Sequence, residues 1–240
     1  MNTPVEDKLP LRLKLVHGMG SIAYGVKDNG FSTFLLLFYN QVLGLEATLV
    51  SAALMLALFI DAFIDPIVGH MSDRTYTRWG KRLPWLYIAP IPLGFAWLLL
   101  WSPPEGAHGH IFLYLVSTAV LVRALVSCCE VPSVALVPEL TRDYDERTGL
   151  MRFRYLFAWG GGLLMLFLAY GVFLKPDAGH AVGQLNPEGY WNYGLFGGLL
   201  IALTVLLSAA GQHKRMARLP DVRPVSTSVG HAFGEIKESL

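Results

Sequence analysis

The chain has 240 residues, of which 53% are hydrophobic and only 15% charged, with a formal net charge of +1. Its mean hydropathy is +0.45. Soluble domains average about 25% charged residues, so a water-soluble enzyme is excluded. A nucleic-acid binder is excluded too, because the basic residues sit in short loops between apolar runs rather than on one face.

In chain order, apolar runs of about 20 residues predict transmembrane helices over 16–41, 48–70, 84–102, 111–138, 151–174 and 191–211. The runs are too long for strands, and alternation with period two is absent. The expected fold class is therefore an all-α membrane protein with six transmembrane helices in one bundle, 16–211. A polar N-terminal segment, 1–15, precedes it, without the short apolar stretch and small-residue cleavage site of a signal peptide.

The first span holds Gly18, Gly20 and Gly25, small residues that let membrane helices approach closely. It also holds Lys27 and Asp28, and Ser21, Tyr24, Asp28 and Ser32 share one of its faces. The second span, LMLALFIDAFIDPIVGHM, contains Asp61 and Asp65. Four residues apart, they lie about one turn from each other on one side of a helix. A carboxylate at that depth costs roughly 3 kcal/mol even on lenient scales, so a protein interior or a wet cavity must face the pair. Two close carboxylates either share a proton or hold a cation, and hard cations favour oxygen ligands. Pro66 removes a backbone donor beside them. Sodium and proton both remain open as the ion.

The loop GHMSDRTYTRWGKRLPW follows, with Asp73, Arg74, Arg78, Gly80, Lys81 and Arg82. Gly69 and Gly80 are expected to permit a tight turn, and the charges to latch neighbouring helix ends. In the fourth span Arg123, Ser127, Glu130 and Val134 step along one side. Cys128 and Cys129 are neighbours pointing to different faces and read as small packing residues. The fifth span carries Arg154 and the small residues Gly160, Gly161 and Gly162. Seven charges thus fall inside predicted spans: Lys27, Asp28, Asp61, Asp65, Arg123, Glu130 and Arg154. Their near balance implies mutual pairing around a shared cavity.

The Gly/Pro/Asn-rich loop 175–190 and the polar tail 212–240 complete the chain. The tail reads as a linker whose end, HAFGEIKESL, opens a further helix and stops within it, as a fragment would. Fifteen Lys and Arg flank one side of the predicted spans and only Lys175 the other, which predicts cytoplasmic termini in a cytoplasmic (inner) membrane protein. His17, His70, His108, His110, His180, His213 and His231 lack the spacing of metal ligands on one helix.

Five ordered segments carry a resemblance: YGVKDNG (24–30), DAFIDPIVG (61–69), SDRTYTRWGKRLPW (72–85), EVPSVALVPELT (130–141) and RFRYLFAWGGG (152–162). Together they resemble the glycoside–pentoside–hexuronide:cation symporters, the melibiose permease-like branch of the major facilitator superfamily, over that fold's N-terminal six-helix half. The resemblance implies that Asp61 and Asp65 bind the coupling cation, with Ser127 near it. It implies that Asp28, with Lys27 beside it, Glu130 and Arg154 contact a sugar, and that Asp73, Arg74, Arg78, Gly80 and Lys81 form a cytoplasmic gating loop. Two departures stand out. Val134 replaces a sugar-stacking tryptophan, and Arg123 adds a cation to the cavity wall that suits an acidic substrate such as a hexuronide.

The expected activity is cation-coupled symport of a sugar or glycoside by alternating access, with no enzymatic activity and no cofactor beyond the coupling sodium or proton. A sodium-dependent lysolipid carrier and a non-transporting membrane scaffold are the alternatives. The expected partners are a small-molecule substrate, membrane lipid and a second six-helix half, supplied by the same chain or by dimerisation.

Overall fold

The computed structural model describes residues 8–104, 110–177 and 179–216, and these are helical with no strand among them. The helices are α1 (Leu11–Met19), α2 (Ile22–Asn29), α3 (Leu35–Leu37), α4 (Ala47–Asp73), α5 (Leu83–Ile88), α6 (Pro90–Leu100), α7 (Ile111–Ala135), α8 (Val137–Leu140), α9 (Tyr144–Leu168) and α10 (Pro187–Met216). Four helical stretches are long and apolar enough to cross a membrane: Ala47–Asp73, Ile111–Leu140, Tyr144–Phe173 and Pro187–Met216. At about 1.5 Å per residue each exceeds the roughly 30 Å hydrocarbon layer.

Two further stretches are helical but interrupted. Residues 11–42 break at Gly20 and Ser21, then continue through π-helical turns at Gly30–Phe34 and Phe38–Val42. Residues 83–100 divide at Ala89, before Pro90, which has no N–H to give the preceding turn. The Leu93 amide still bonds the Ala89 carbonyl, so the axis carries on. Pro66 lies inside α4 without ending it. Its missing N–H leaves the Ala62 carbonyl, between Asp61 and Asp65, without its intrahelical donor.

Several boundaries differ from the hydropathy reading. α1 opens at Leu11, inside the segment read as an N-terminal tail, and α10 runs on to Met216. α9 starts at Tyr144, seven residues before the predicted 151, because the Asp143 side chain caps it by accepting the Glu146 amide. The Glu146 carboxylate pairs with Lys14 at 2.9 Å, so polar helix ends are tied to each other outside the apolar runs. Gly69 lies within α4 rather than in a turn, whereas Gly80, at φ +90°, makes the turn. The further helix expected in 231–240 lies outside the described residues.

Packing sets the site. α4 lies along α7, α6 against α7 and α10, and α1 and α2 against α9. The α2–α9 approach depends on glycine: a Cβ on Gly25 would overlap the Ala158 carbonyl, and one on Gly162 would sit 3.0 Å from the Gly25 carbonyl oxygen. At one end of the bundle Phe38, Trp97, Trp101, Tyr190 and Tyr193 form a buried aromatic cluster, with the Trp101 and Tyr190 rings stacked at 5.8 Å.

Candidate functional site

A cavity of about 680 Å³ opens between α2, α7 and α9, within the size range of small-molecule sites. The α2 stripe supplies Ser21, Tyr24, Asp28 and the adjoining Ser32; α7 supplies Glu130 and Val134; α9 supplies Arg154, Tyr155 and Trp159. Asp28 is exposed to the cavity and makes no salt bridge among the described residues. Trp159 and Tyr155 are 73% and 61% exposed, so two large aromatic faces stand open beside the charged groups.

Arg154 is the most heavily engaged of these. Its Nη2 donates to Glu130 Oε1 at 2.5 Å, and its Nη1 donates to Ser133 Oγ at 2.6 Å. Behind it lies buried His17, whose Nε2 is 3.5 Å from Arg154 Nη1. Gln212 donates through Nε2 to the Ser208 carbonyl and hydroxyl, which leaves its Oε1 to accept from His17 Nδ1 at 2.8 Å. The proton therefore sits on Nδ1, and Nε2 turns its lone pair toward the guanidinium. The result is a fixed fork aimed at Glu130 and the cavity.

Asp61 and Asp65 do not line this cavity. Asp61 faces α7, where Arg123 Nη1 donates to its Oδ2 at 2.7 Å and Ser127 Oγ donates to its Oδ1 at 3.3 Å. The Arg123 guanidinium also lies over the Phe31 ring, 5.2 Å from its centre. Asp65, one turn along α4, is exposed and has no salt bridge among the described residues. Lys27 is buried, with Nζ 4.4 Å from the centre of the Tyr24 ring. The intramembrane charges thus divide. Asp28, Glu130 and Arg154 share the cavity, while Arg123 joins Asp61 and Ser127 in a second cluster. α7 carries both clusters, two turns apart.

The loop between α4 and α5 is organised by Arg82. Its guanidinium pairs with Asp73, donates to Ser72 Oγ at 2.6 Å, and reaches Glu139 of α8 at 3.4 Å. Arg78 lies over Trp79 and Lys81 over Tyr76. Arg74 closes α4, and Gly80 provides the left-handed turn.

The profile of the family described as "MFS/sugar transport protein" matches residues 16–240. The chain belongs to that family of membrane transporters. It is 36% identical over 168 residues to an uncharacterized symporter, sll1374, of Synechocystis, covering 68% of this chain and 31% of the relative. It is 29% identical to the isoprimeverose transporter of Lactiplantibacillus pentosus, over 68% of this chain and 34% of that protein. It is 27% identical to sodium-dependent lysophosphatidylcholine symporter 1 of Gallus gallus, over 62% of this chain and 28% of that protein. The chain therefore spans about a third of the length of these curated relatives.

Within this family member, sequence reasoning missed two groups that line the cavity and two buried behind Arg154. His17 and Gln212 were passed over because each is a lone polar residue near a helix end, and their meeting spans 195 positions. Tyr155 and Trp159 were missed although their spacing, four from each other and seven and three from Gly162, places them on one face of α9.

Proposed function

We propose that this chain forms the N-terminal bundle of a symporter that carries a sugar or glycoside, driven by a cation, through alternating access. The observation that supports it best is the cavity, where the exposed Asp28 carboxylate and the Glu130–Arg154 pair stand beside the open rings of Tyr155 and Trp159. Carboxylates and a guanidinium bond sugar hydroxyls, and an aromatic face covers the apolar side of a sugar ring. Tyr155 and Trp159 supply from α9 the platform that Val134 does not supply from α7.

The coupling cation, sodium or proton, is assigned to Asp61 and Asp65, with Ser127 and the Ala62 carbonyl, which Pro66 deprives of its usual intrahelical donor, as neighbouring oxygens. A cation there and a sugar at Glu130 both act on α7, so each raises the affinity for the other by the same factor. The substrate site is completed by a second six-helix half, in the same polypeptide or by dimerisation, with lipid around both. The loop at Asp73, Arg74, Arg78, Gly80, Lys81 and Arg82 serves as the cytoplasmic gate. Both ends of the bundle face the cytoplasm across the inner membrane, in keeping with the charge asymmetry.

The test is thermal stabilisation of the full-length protein by glycosides, uronides and lysolipids, in sodium or choline, at two pH values. A sugar that stabilises wild type only with sodium, and not the Asp61→Asn variant, is the expected result. Stabilisation indifferent to sodium, to pH and to Asp61→Asn would remove the cation site. A lysolipid is the second reading, favoured by the apolar Val134 and Leu163 in the cavity wall. A response to lysolipid with silence from every sugar would select it.

A further inference from the structure

We propose that Arg123 is a tethered rival of the coupling cation. Its guanidinium neutralises Asp61 when the ion site is empty, and an arriving cation must displace it. The inference rests on the assignment of the ion to Asp61 and Asp65.

Both oxygens of Asp61 are engaged, one by the guanidinium at 2.7 Å and the other by the Ser127 hydroxyl at 3.3 Å. A monovalent cation seated on Asp61 would therefore share the carboxylate with a like charge already bonded to it at 2.7 Å. The pair is largely withdrawn from solvent, with side chains 15% and 18% exposed, so the repulsion is weakly screened. Yet the guanidinium is not fully secured. It grips Asp61 through one nitrogen, rests on the Phe31 ring, and keeps a buried Nε–H with no acceptor among the described residues. A group held by one charge-assisted bond with a donor unsatisfied is poised to leave.

Charge accounting agrees. Asp61, Asp65 and Arg123 together carry one net negative charge, so a single monovalent cation neutralises the set. Without Arg123 the two acids would carry two negative charges. The arginine thus lowers the negative charge of the site by one and weakens its hold on a cation. It also gives Asp61 a counter-charge within an apolar helix. Arg123 is a specificity-setting residue that acts against the ion rather than for it.

The experiment titrates sodium against the full-length protein at pH 8 and constant ionic strength, reading thermal stabilisation in wild type, Arg123→Gln, Arg123→Lys and Asp61→Asn. A neighbouring charge changes a carboxylate's affinity for a cation by roughly 1–3 orders of magnitude. Arg123→Gln is therefore expected to lower the half-maximal sodium concentration about tenfold or more, while Arg123→Lys, which keeps the charge, stays near wild type. Phe31→Leu removes the ring beneath the guanidinium without changing any charge and is expected to tighten sodium about two- to fivefold. If Arg123→Gln does not fold, Phe31→Leu decides by itself. Should the proton be the ion, the same displacement shows as a shift of the pH midpoint of stabilisation to higher pH in Arg123→Gln.

Sodium or proton affinity that is unchanged or weaker in Arg123→Gln and in Phe31→Leu, with a normal response in wild type, overturns the rivalry and makes Arg123 a structural support. No response to either ion in wild type or in any variant overturns the cation assignment itself, and the rivalry with it.

Discussion

Arg154 shows how one side chain ties the bundle to its cavity. Ser133 of α7 and His17 of α1 hold it, and Glu130 of α7 receives its free edge at 2.5 Å. A lysine in its place offers a point charge without the planar fork. Arg154→Lys is expected to weaken substrate binding by about ten- to a hundredfold, the worth of one or two charged hydrogen bonds at roughly 1.5–3 kcal/mol together. Calorimetric titration of the full-length protein checks it, and unchanged affinity would show that the fork geometry is not used. Glu130 and Arg154 were legible in the sequence because a charge within an apolar run is an anomaly wherever it occurs. The Arg123–Asp61 pairing was not, since it joins residues 62 positions apart and spacing within one helix says nothing about the facing helix. His17 was invisible for a related reason: only the fold sets it against Gln212, and only that contact fixes which of its nitrogens meets Arg154.

At the scale of elements, four of the six expected spans coincide with helical stretches long and apolar enough to cross a membrane, but the helix ends did not follow from hydropathy. The early start of α9 was nonetheless written in the chain, as the Asp143–Glu146 spacing of a helix cap. An apolar-run reading ignores it because capping residues are polar. Close helix approaches were only half legible. Glycines in a span suggest packing, yet the pairing of Gly94 with Gly198 is a property of the α6–α10 contact. A Cβ on Gly198 would lie 2.5 Å from the Gly94 carbonyl oxygen. Gly198→Leu is expected to destabilise the bundle by about 1–3 kcal/mol through overpacking, read as a fall in Tm, whereas Gly171→Leu, with open space around it, leaves Tm near wild type.

The loop before α10 has its own anchor. Asp177 accepts from the Gly179 and His180 amides at 2.8 and 2.6 Å, and these bonds hold its carboxyl below the usual carboxylate range. A depressed value means the loop's order is fully present above the unfolded value, about 3.9, and is lost as pH falls through the folded one. Amide exchange at Gly179 and His180, corrected for its intrinsic pH dependence, is expected to stay slow from about pH 7 to 5 and to quicken below about pH 4. Asp177→Asn should quicken it at every pH.

At the scale of the whole molecule, the open side of the cavity and the length of the relatives point the same way. Asp28, Tyr155 and Trp159 stand exposed on one face, and the aligned segments cover only about a third of each relative. A site of this kind is closed by what packs against that face, so the direction in which the bundle sits in the membrane decides from which side substrate enters. The distribution of Lys and Arg predicts that direction but is a statement about insertion, not about structure. It is tested by single cysteines at Lys175 and Arg78, both exposed in loops on opposite sides of the predicted spans. The native free thiols, Cys128 and Cys129, are first replaced by alanine. In intact cells an impermeant maleimide is expected to label Lys175→Cys at once, and Arg78→Cys only after permeabilisation. The reverse pattern would turn the bundle over. The Arg82 cluster would then lie outside, and the cavity would have to be gated from the other end.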